Sequence, residues 1–394
     1  MIRSILQPLK LSIPWAKPYL LIALELILAL LIGCCLVLLG IDGGAWILGG
    51  ILAGAVVFYC DRTFIKGQTE PNRNSRKAGQ MLVGLTVGFS IQQSDLATLT
   101  AQLPIFGLLT LFLLFSGGLI GYLYSQIAKT DLLTALLATV PGNIGVMASI
   151  SADHGGNVAL VSLVQLIRFT TVILIMPSIA HVSTPHNLNA TLAAFTPNLA
   201  NVDATYVLWL ALVLSLTLGA ASLGTYWKIP VAAFLCSILV GLEFNSLLGL
   251  LPFAHPTNFH LPLFLNLIGQ ILLGITIGEY WGMDPQLGRL TIACATIPVA
   301  LTLLAGLLSA GIALLLTDWD WLTCLLVASP GGSPEMILLA LVLDRNVEVV
   351  TAGHLIRLIS INLTLPALVS GACYLERLTA KGSVETSTTS LRDS

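Results

Sequence analysis

Charge is what this chain of 394 residues has least of. Asp, Glu, Lys and Arg make up 9 % of it, against about 25 % in ordinary soluble domains, while 56 % of the residues are hydrophobic. The longest polar stretches are residues 61–77, the Ser/Thr/Asn-rich segment 181–201 and the tail after Leu378, each too short to bury a core of its own. That excludes a soluble domain of useful size and puts the function in or at a membrane. Net charge is −2 and no basic face is gathered anywhere, so direct nucleic-acid binding is not expected. The seven cysteines are odd in number, lack a C-x-x-C pair and lie in apolar runs, adjacent Cys34 and Cys35 among them, and are read as small buried hydrophobes. His181 with His186, and His255 with His260, have a poor spacing for a shared helical metal site, and no H-E-x-x-H or Cys/His cluster occurs. No metal, cofactor or enzymatic activity is therefore expected. The Gly-rich IDGGAWILGG at residues 41–50 lacks the Lys-Ser/Thr of a phosphate loop and reads as close helix packing through small residues.

What is present is a series of long apolar runs. Residues 19–39, 105–124, 207–223 and 296–316 are each near the roughly 20 residues with which a helix crosses about 30 Å of hydrocarbon. Period-two alternation is missing, which excludes a membrane β-barrel. Residues 1–18 are mixed and the first apolar run has no small-residue cleavage pattern after it, so the first helix is expected to stay as a span.

The chain also repeats itself. DLLTALLATVPGNIGVM at residues 131–147 returns 189 residues later as DWLTCLLVASPGGSPEM, and each copy leads to an Arg and then a Pro expected to end its helix: Arg168 with Pro177, Arg357 with Pro366. Over residues 131–177 and 320–366 the two copies share 16 of 47 positions, including matches at Asp, Pro, Gly, Asn and Arg, which an apolar bias does not produce. GQMLVGLTVG at residues 79–88 and GQILLGITIG at residues 269–278 form a second pair. Two membrane repeats follow, 1–190 and 191–394, the second ending in a short cytoplasmic tail.

Basic residues collect in short cytoplasmic loops. Arg3, Lys10 and Lys17 place the N-terminus inside, and Arg62, Lys66, Arg73, Arg76 and Lys77 place the next sizeable loop inside. Lys129 marks the inner end of the fourth span, whereas residues 169–227 contain no Lys or Arg and should begin outside. An odd number of crossings must connect them, yet two apolar segments lie between. The segment holding Pro141, Gly142 and Asn143 is the one that should not cross, because Pro and Gly break a membrane helix. The same rule puts Lys228 and Arg289 inside, Asp318 and Asp320 outside, and the C-terminus inside. The fold expected is an all-α polytopic membrane protein of two repeats, each with about five crossings and one broken or re-entrant segment, inverted relative to each other. If the broken segments cross fully, there are instead twelve spans and parallel repeats.

The chemistry should gather where backbone leaves its ladder, since helix N-termini there attract anions and freed carbonyls hold cations. Pro141, Gly142 and Asn143 form one such break; Pro330, Gly331, Gly332 and Ser333 form the other, and a simple kink is the plain alternative. Inserting Arg168 and Arg357 costs about 2.5 to 3.5 kcal/mol each, so something must pair with them. An anionic solute, a carboxylate, or the free carbonyls of each residue's own broken segment would serve. Glu335 follows the second break, where Val146 stands in the first; it is suited to titrate, to bind a cation or to neutralise Arg357. His354 replaces Gln165 on the face of Arg357, either extending a proton path or packing as a satisfied core residue. Glu279, with Gln80 and Gln270 of the duplicated Gly-Gln pairs, are secondary candidates, and Glu25 interrupts the first apolar run.

The paired P-G-[NG]-x-x-x-M segments, each followed by [QH]-L-I-R and a Pro, and the duplicated G-Q-x-L-x-G-x-T-x-G resemble the AbrB-type membrane proteins, over residues 20–375. Family members commonly read P-G-G with a following acid and Met in both copies; here the second keeps Gly332, Glu335 and Met336, and the first departs at Asn143 and Val146. The resemblance implies a twofold membrane duplication, similar in design to cation-proton antiporters and anion transporters. Relatives are described as membrane regulators of gene expression, and some are labelled as ammonia monooxygenase. The residues themselves favour a secondary transporter in the plasma membrane moving a small anionic solute with protons or a cation coupled through Glu335. A membrane regulator acting indirectly through a ligand or partner is the alternative, and a monooxygenase-like enzyme the remote one. The partners expected are membrane lipid, a small-molecule or ion ligand and a second copy in a homodimer.

Overall fold

The computed structural model describes residues 17–39, 44–65, 70–91, 96–142, 144–181, 204–249, 259–282 and 289–390. Among them the regular structure is entirely helical. The first half contains α1 (Lys17–Leu38), α2 (Ala45–Cys60) with a π-helical turn at Asp61–Ile65, α3 (Arg73–Ile91), the short α4 (Leu96–Ala101), α5 (Leu103–Ala128), α6 (Leu132–Thr139), α7 (Ile144–Asp153) and α8 (Val158–His181). The second contains α9 (Ala204–Tyr226), α10 (Ala232–Gly249), α11 (Leu263–Gly282), α12 (Arg289–Leu316), α13 (Trp321–Ala328), α14 (Ser333–Val342) and α15 (Val347–Ser390). Nine of the described helices are long and apolar enough to cross a membrane. Hydrocarbon offers no hydrogen-bond partner to the backbone, so apolar runs of this length close their own ladders as helices. The chain is a polytopic all-α membrane protein. α3 falls outside the nine because Arg73, Arg76 and Lys77 crowd its first turns.

Glycines decide which helices touch. A Cβ on Gly50 of α2 would lie 2.5 Å from the Ile271 carbonyl oxygen of α11 and 2.8 Å from the Ile275 nitrogen, so only hydrogen fits. Contacts advance in step along both helices, from Gly50 at Ile271 to Gly282 at Tyr59, so α2 and α11 run parallel. α3 and α10 do the same, Gly84 meeting Phe234 and Gly88 meeting Gly241. The two duplicated motifs meet each other at their N-terminal ends, Gly79 against Gly269 and Leu273. Small residues let backbones approach closely enough for dispersion to hold helices that lipid would otherwise solvate equally well.

Two helical groups result. α2 packs on α1 and α11, and α3 on α10 and α11, while α9 lies on α10; separately, α5, α6, α7, α8, α12, α13, α14 and α15 pack among themselves. The groups meet chiefly where α14 and α15 touch α3 and where α8 touches α11. Each group draws on both halves of the sequence.

Two expectations change. Cys34, Cys35 and Cys60 are exposed and, among the cysteines, Cys324 alone is buried, because the outer face of a membrane helix is apolar whether or not protein covers it. Pro177 and Pro366 do not end their helices: α8 continues to His181 and α15 to Ser390, since a proline removes one backbone donor and a membrane helix absorbs that loss.

Candidate functional site

The two broken segments are built alike. Asp131 caps α6, one carboxylate oxygen accepting the Thr134 N–H at 2.8 Å, and Asp320 caps α13, accepting Leu322 and Thr323 N–H at 3.1 and 3.2 Å. After eight helical residues each runs into an extended residue, Val140 (ψ 130°) or Ser329 (ψ 132°), and then Pro-Gly. Neither Pro141 nor Pro330 can donate a backbone hydrogen bond, so the last carbonyls of α6 and α13 lose their helical partners. Each chain then turns back. Asn157 N–H, just beyond α7, donates to Thr134 Oγ1 at the start of α6 at 2.9 Å, and Arg345, just beyond α14, lies 3.6 Å from Asp320 at the start of α13. The turns that follow also correspond, Gly155 (φ 71°) and Asp344 (φ 51°) both being left-handed.

Buried side chains from the following helix satisfy the freed carbonyls. Arg168 donates to the Thr139 carbonyl at 3.0 Å and to Gln165 Oε1 at 2.5 Å, while the Gln165 amide donates to Leu137 and Val140 carbonyls at 2.8 and 3.1 Å. Arg357 donates to the Ser329 carbonyl at 2.6 Å, to the Gly331 carbonyl at 3.4 Å and to His354 Nδ1 at 2.7 Å. His354 Nε2 lies 2.9 Å from the Leu326 carbonyl oxygen. A carbonyl only accepts and a guanidinium only donates, which fixes the ring as neutral with its proton on Nε2. Of the partners open to the two arginines, the carbonyls of each one's own broken segment are those observed. His354 has both nitrogens engaged in the same task as Gln165.

Both Pro-Gly tips open into one cavity at the seam between the helical groups. Pro141, Gly142, Gly331, Gly332, Ser333, Glu335 and Arg357 line it together with Gln80, as their sequence context suggested, while Pro330 is buried outside the lining, against Gly306. Arg168 and His354 stand behind it, on carbonyls; Asn143 lies outside the described residues. Glu279 and Gln270 are buried in α11 but not in the lining: Glu279 accepts the Asn72 N–H at 2.8 Å, and the Gln270 amide reaches Asn266 Oδ1 at 3.4 Å. Arg76, Phe169, Thr276 and Tyr280 complete the polar and aromatic wall. Arg76 was hidden among the basic residues that set orientation, although it lies four residues before Gln80 and so on the same helical face.

Glu335 is 4 % exposed, in the first turn of α14. Its carboxylate folds back over Gly332, where a Cβ would run into Glu335 and the Phe169 ring. Arg76, across the seam on α3, is the cation whose field reaches it. The matching Val146 is 37 % exposed and leaves the first break without an acid.

A helical membrane protein with two such breaks facing one buried, charged cavity is a defined class, and the sequence comparisons narrow it. Residues 46–371 match the family described as transition state regulatory protein AbrB, and the chain belongs to that family. It is 29 % identical over 342 residues to the uncharacterized protein YhjN of Bacillus subtilis (strain 168), covering 85 % of this chain and 88 % of that one. It is 26 % identical over 333 residues to a protein of Escherichia coli (strain K12) named as an AbrB regulator, covering 82 % and 88 %.

Proposed function

We propose that the protein is a secondary transporter of a small anionic solute, and not an enzyme, with the solute bound in the cavity between the two Pro-Gly tips. The observation that carries this reading is that both tips meet in one cavity at the seam between two helical groups. Broken helices at a midplane site between bodies able to rock against each other are what alternating access requires. Among the charged lining residues Arg76 and Arg357 outnumber Glu335, an excess of one positive charge that suits an anion, and the N-termini of α7 and α14 add partial positive charge. Glu335 is the group in this reading that couples a proton or cation.

Inverted repeats with re-entrant broken segments fit the helix directions. Parallel packing of α2 with α11 requires an odd number of crossings between them. α3, α5, α8, α9 and α10 supply five, so α6 and α7 together add none. The return of α7 beside α6, and of α14 beside α13, agrees. Orientation by the basic residues then puts both termini in the cytoplasm, in a plasma (inner) membrane.

The test is thermal unfolding of the detergent-purified protein against small organic anions, inorganic anions, ammonium and alkali cations at two pH values, followed by flux of any stabilising solute in proteoliposomes. A ligand that binds only the folded state must raise its stability. Anion-dependent stabilisation that weakens in Arg76→Gln, with flux, supports the proposal. Stabilisation without flux moves the protein to the reading that its relatives' names carry, a membrane-embedded regulator that senses the ligand and acts through a partner.

A further inference from the structure

We propose that Glu25 and Glu279 form a proton-binding site outside the cavity, coupled to the cavity through the first turn of α3. Glu25 interrupts the apolar run of α1 and is fully buried, and neither of its oxygens has a hydrogen-bond partner among the described residues. An ionised carboxylate so placed would be an uncompensated interior charge, which proteins avoid by neutralising the group. The charge that reaches it is another carboxylate, Glu279 of α11, itself 1 % exposed.

The two acids are not equivalent. Glu279 Oε2 accepts the Asn72 N–H at 2.8 Å, at the head of α3, where the helix dipole favours an anion. Asn72 Oδ1 accepts in turn from Asn74 and Ser75 N–H at 2.9 and 3.1 Å. The Asn72 N–H favours the charged form of Glu279, and Glu25 has no such donor, so the proton that one of two neighbouring interior carboxylates must carry is assigned to Glu25. α2, packed on both α1 and α11, brings Asp61 and Arg62 only at its far end; level with Glu25, about eight residues away, it presents Ala53, which is roughly 12 Å along the axis from Asp61. Among the described residues no group of three or more His, Cys, Asp or Glu lies here to hold a metal ion, whereas a single proton neutralises Glu25.

The coupling is geometric. Arg76 and Gln80, one and two turns beyond Asn72, line the cavity, whereas Glu279 does not. A proton from water that binds a Glu25 carboxylate oxygen leaves Glu279 free to anchor α3. Its loss places two anions in one apolar junction and pushes Glu279 away from Asn72. The proposal holds whatever solute the cavity takes, so a failed solute screen leaves it standing and its own failure leaves the cavity reading standing.

The experiment uses the full-length protein in detergent. Infrared difference spectra between low and high pH should contain the C=O stretch of a protonated carboxyl, identified by its H/D shift, that disappears in Glu25→Gln and persists in Glu335→Gln. Amide hydrogen exchange of the peptide spanning residues 70–78, taken as protection relative to the intrinsic base-catalysed rate at each pH, should lose protection several-fold as pH rises in the wild type and keep it in Glu25→Gln, whose neutral amide imitates the protonated acid. If Glu25→Gln fails to fold, Glu279→Gln answers the same question: it removes the second charge and should abolish the exchange response. A protonated-carboxyl band that vanishes instead in Glu335→Gln, or protection at residues 70–78 indifferent to pH in the wild type once the intrinsic rate is divided out, overturns the proposal.

Discussion

The first break and the second share a backbone plan and differ in the charge at the tip. Both begin at an aspartate cap, run through an eight-residue helix into an extended residue and Pro-Gly, and turn back; both have an arginine from the next long helix on their freed carbonyls. Only the second carries an acid at its tip, Glu335, against Val146 in the first. Duplication therefore preserved what holds the break together and let the two tips diverge where they face the cavity. Side chains at matching positions with matching partners are structural; those at matching positions with different partners are where to look for function.

The largest effect should come from the part that is shared. Replacing Arg168 or Arg357 by Leu leaves carbonyls of α6 or α13 buried without a donor. Hydrogen bonds to a charged group contribute about 1.5 to 3 kcal/mol each, so either variant should lose about 3 kcal/mol or more, a large share of a typical stability. The expectation is poor yield of monodisperse protein and a lowered unfolding temperature for both. A variant of Arg357 that folds normally yet loses ligand would break the equivalence and make that arginine a solute ligand.

Next in size are the unshared charges. Arg76→Gln and Glu335→Gln should fold, because Arg76 is half-buried at a helix start and Gln fills the volume of Glu. Arg76→Gln should weaken anion-induced stabilisation about tenfold in affinity, roughly 1.4 kcal/mol. Glu335→Gln should leave binding and remove its pH dependence, read from the same thermal shifts at two pH values. Val146→Glu sharpens the contrast: if a second acid at the first tip produces a second pH-dependent step, the tips are interchangeable and the asymmetry is one residue deep.

Gly332→Ala comes third. A Cβ there meets the Glu335 carboxylate and the Phe169 ring, whereas at Gly142 it meets the flexible end of Met147. Overpacking typically costs about 1 to 3 kcal/mol. Gly332→Ala should fall in that range and disturb the pH dependence with it, while Gly142→Ala should cost less, since a methionine re-rotates more readily than a buried carboxylate packed against a ring. Unfolding temperatures of the two variants, measured side by side, decide this.

Much of this arrangement was legible before any coordinates. The long spans and the duplicated breaks follow from composition and repetition, because lipid forces every apolar run into a helix and Pro-Gly out of one. The carbonyl role of Arg168 and Arg357 stood among the readings but could not be separated from solute binding, since a sequence records an uncompensated charge and not which acceptor is in reach. The grouping of helices was illegible for a related reason. α2 finds α11 across some 220 residues through Gly50, Gly54, Gly274 and Gly278, and a glycine in an apolar run reads the same whether it faces lipid or another backbone. Arg76 was misread in kind, as a topology marker only, because a basic residue at a helix start serves orientation and a cavity equally well. Glu279, a secondary candidate, meets the α3 terminus and lies outside the cavity lining.

The smallest effect should come from exchanging the two residues that differ in type but not in task. Gln165 donates from its amide to carbonyls and accepts from Arg168 on its oxygen. His354, neutral and protonated on Nε2, donates to Leu326 and accepts from Arg357 on Nδ1. Each supplies one donor and one acceptor in the same order, so His354→Gln should keep both hydrogen bonds and shift stability by no more than about 1 kcal/mol. His354→Leu, which keeps the bulk and loses both, should cost clearly more, because it leaves the Leu326 carbonyl and an arginine N–H buried without partners. If His354→Gln instead abolishes a pH-dependent step while the unfolding temperature holds, the imidazole titrates after all and a proton passes through it. The shared scaffold would then differ at a second position, and the comparison between the two breaks would rest on His354 as well as on Glu335.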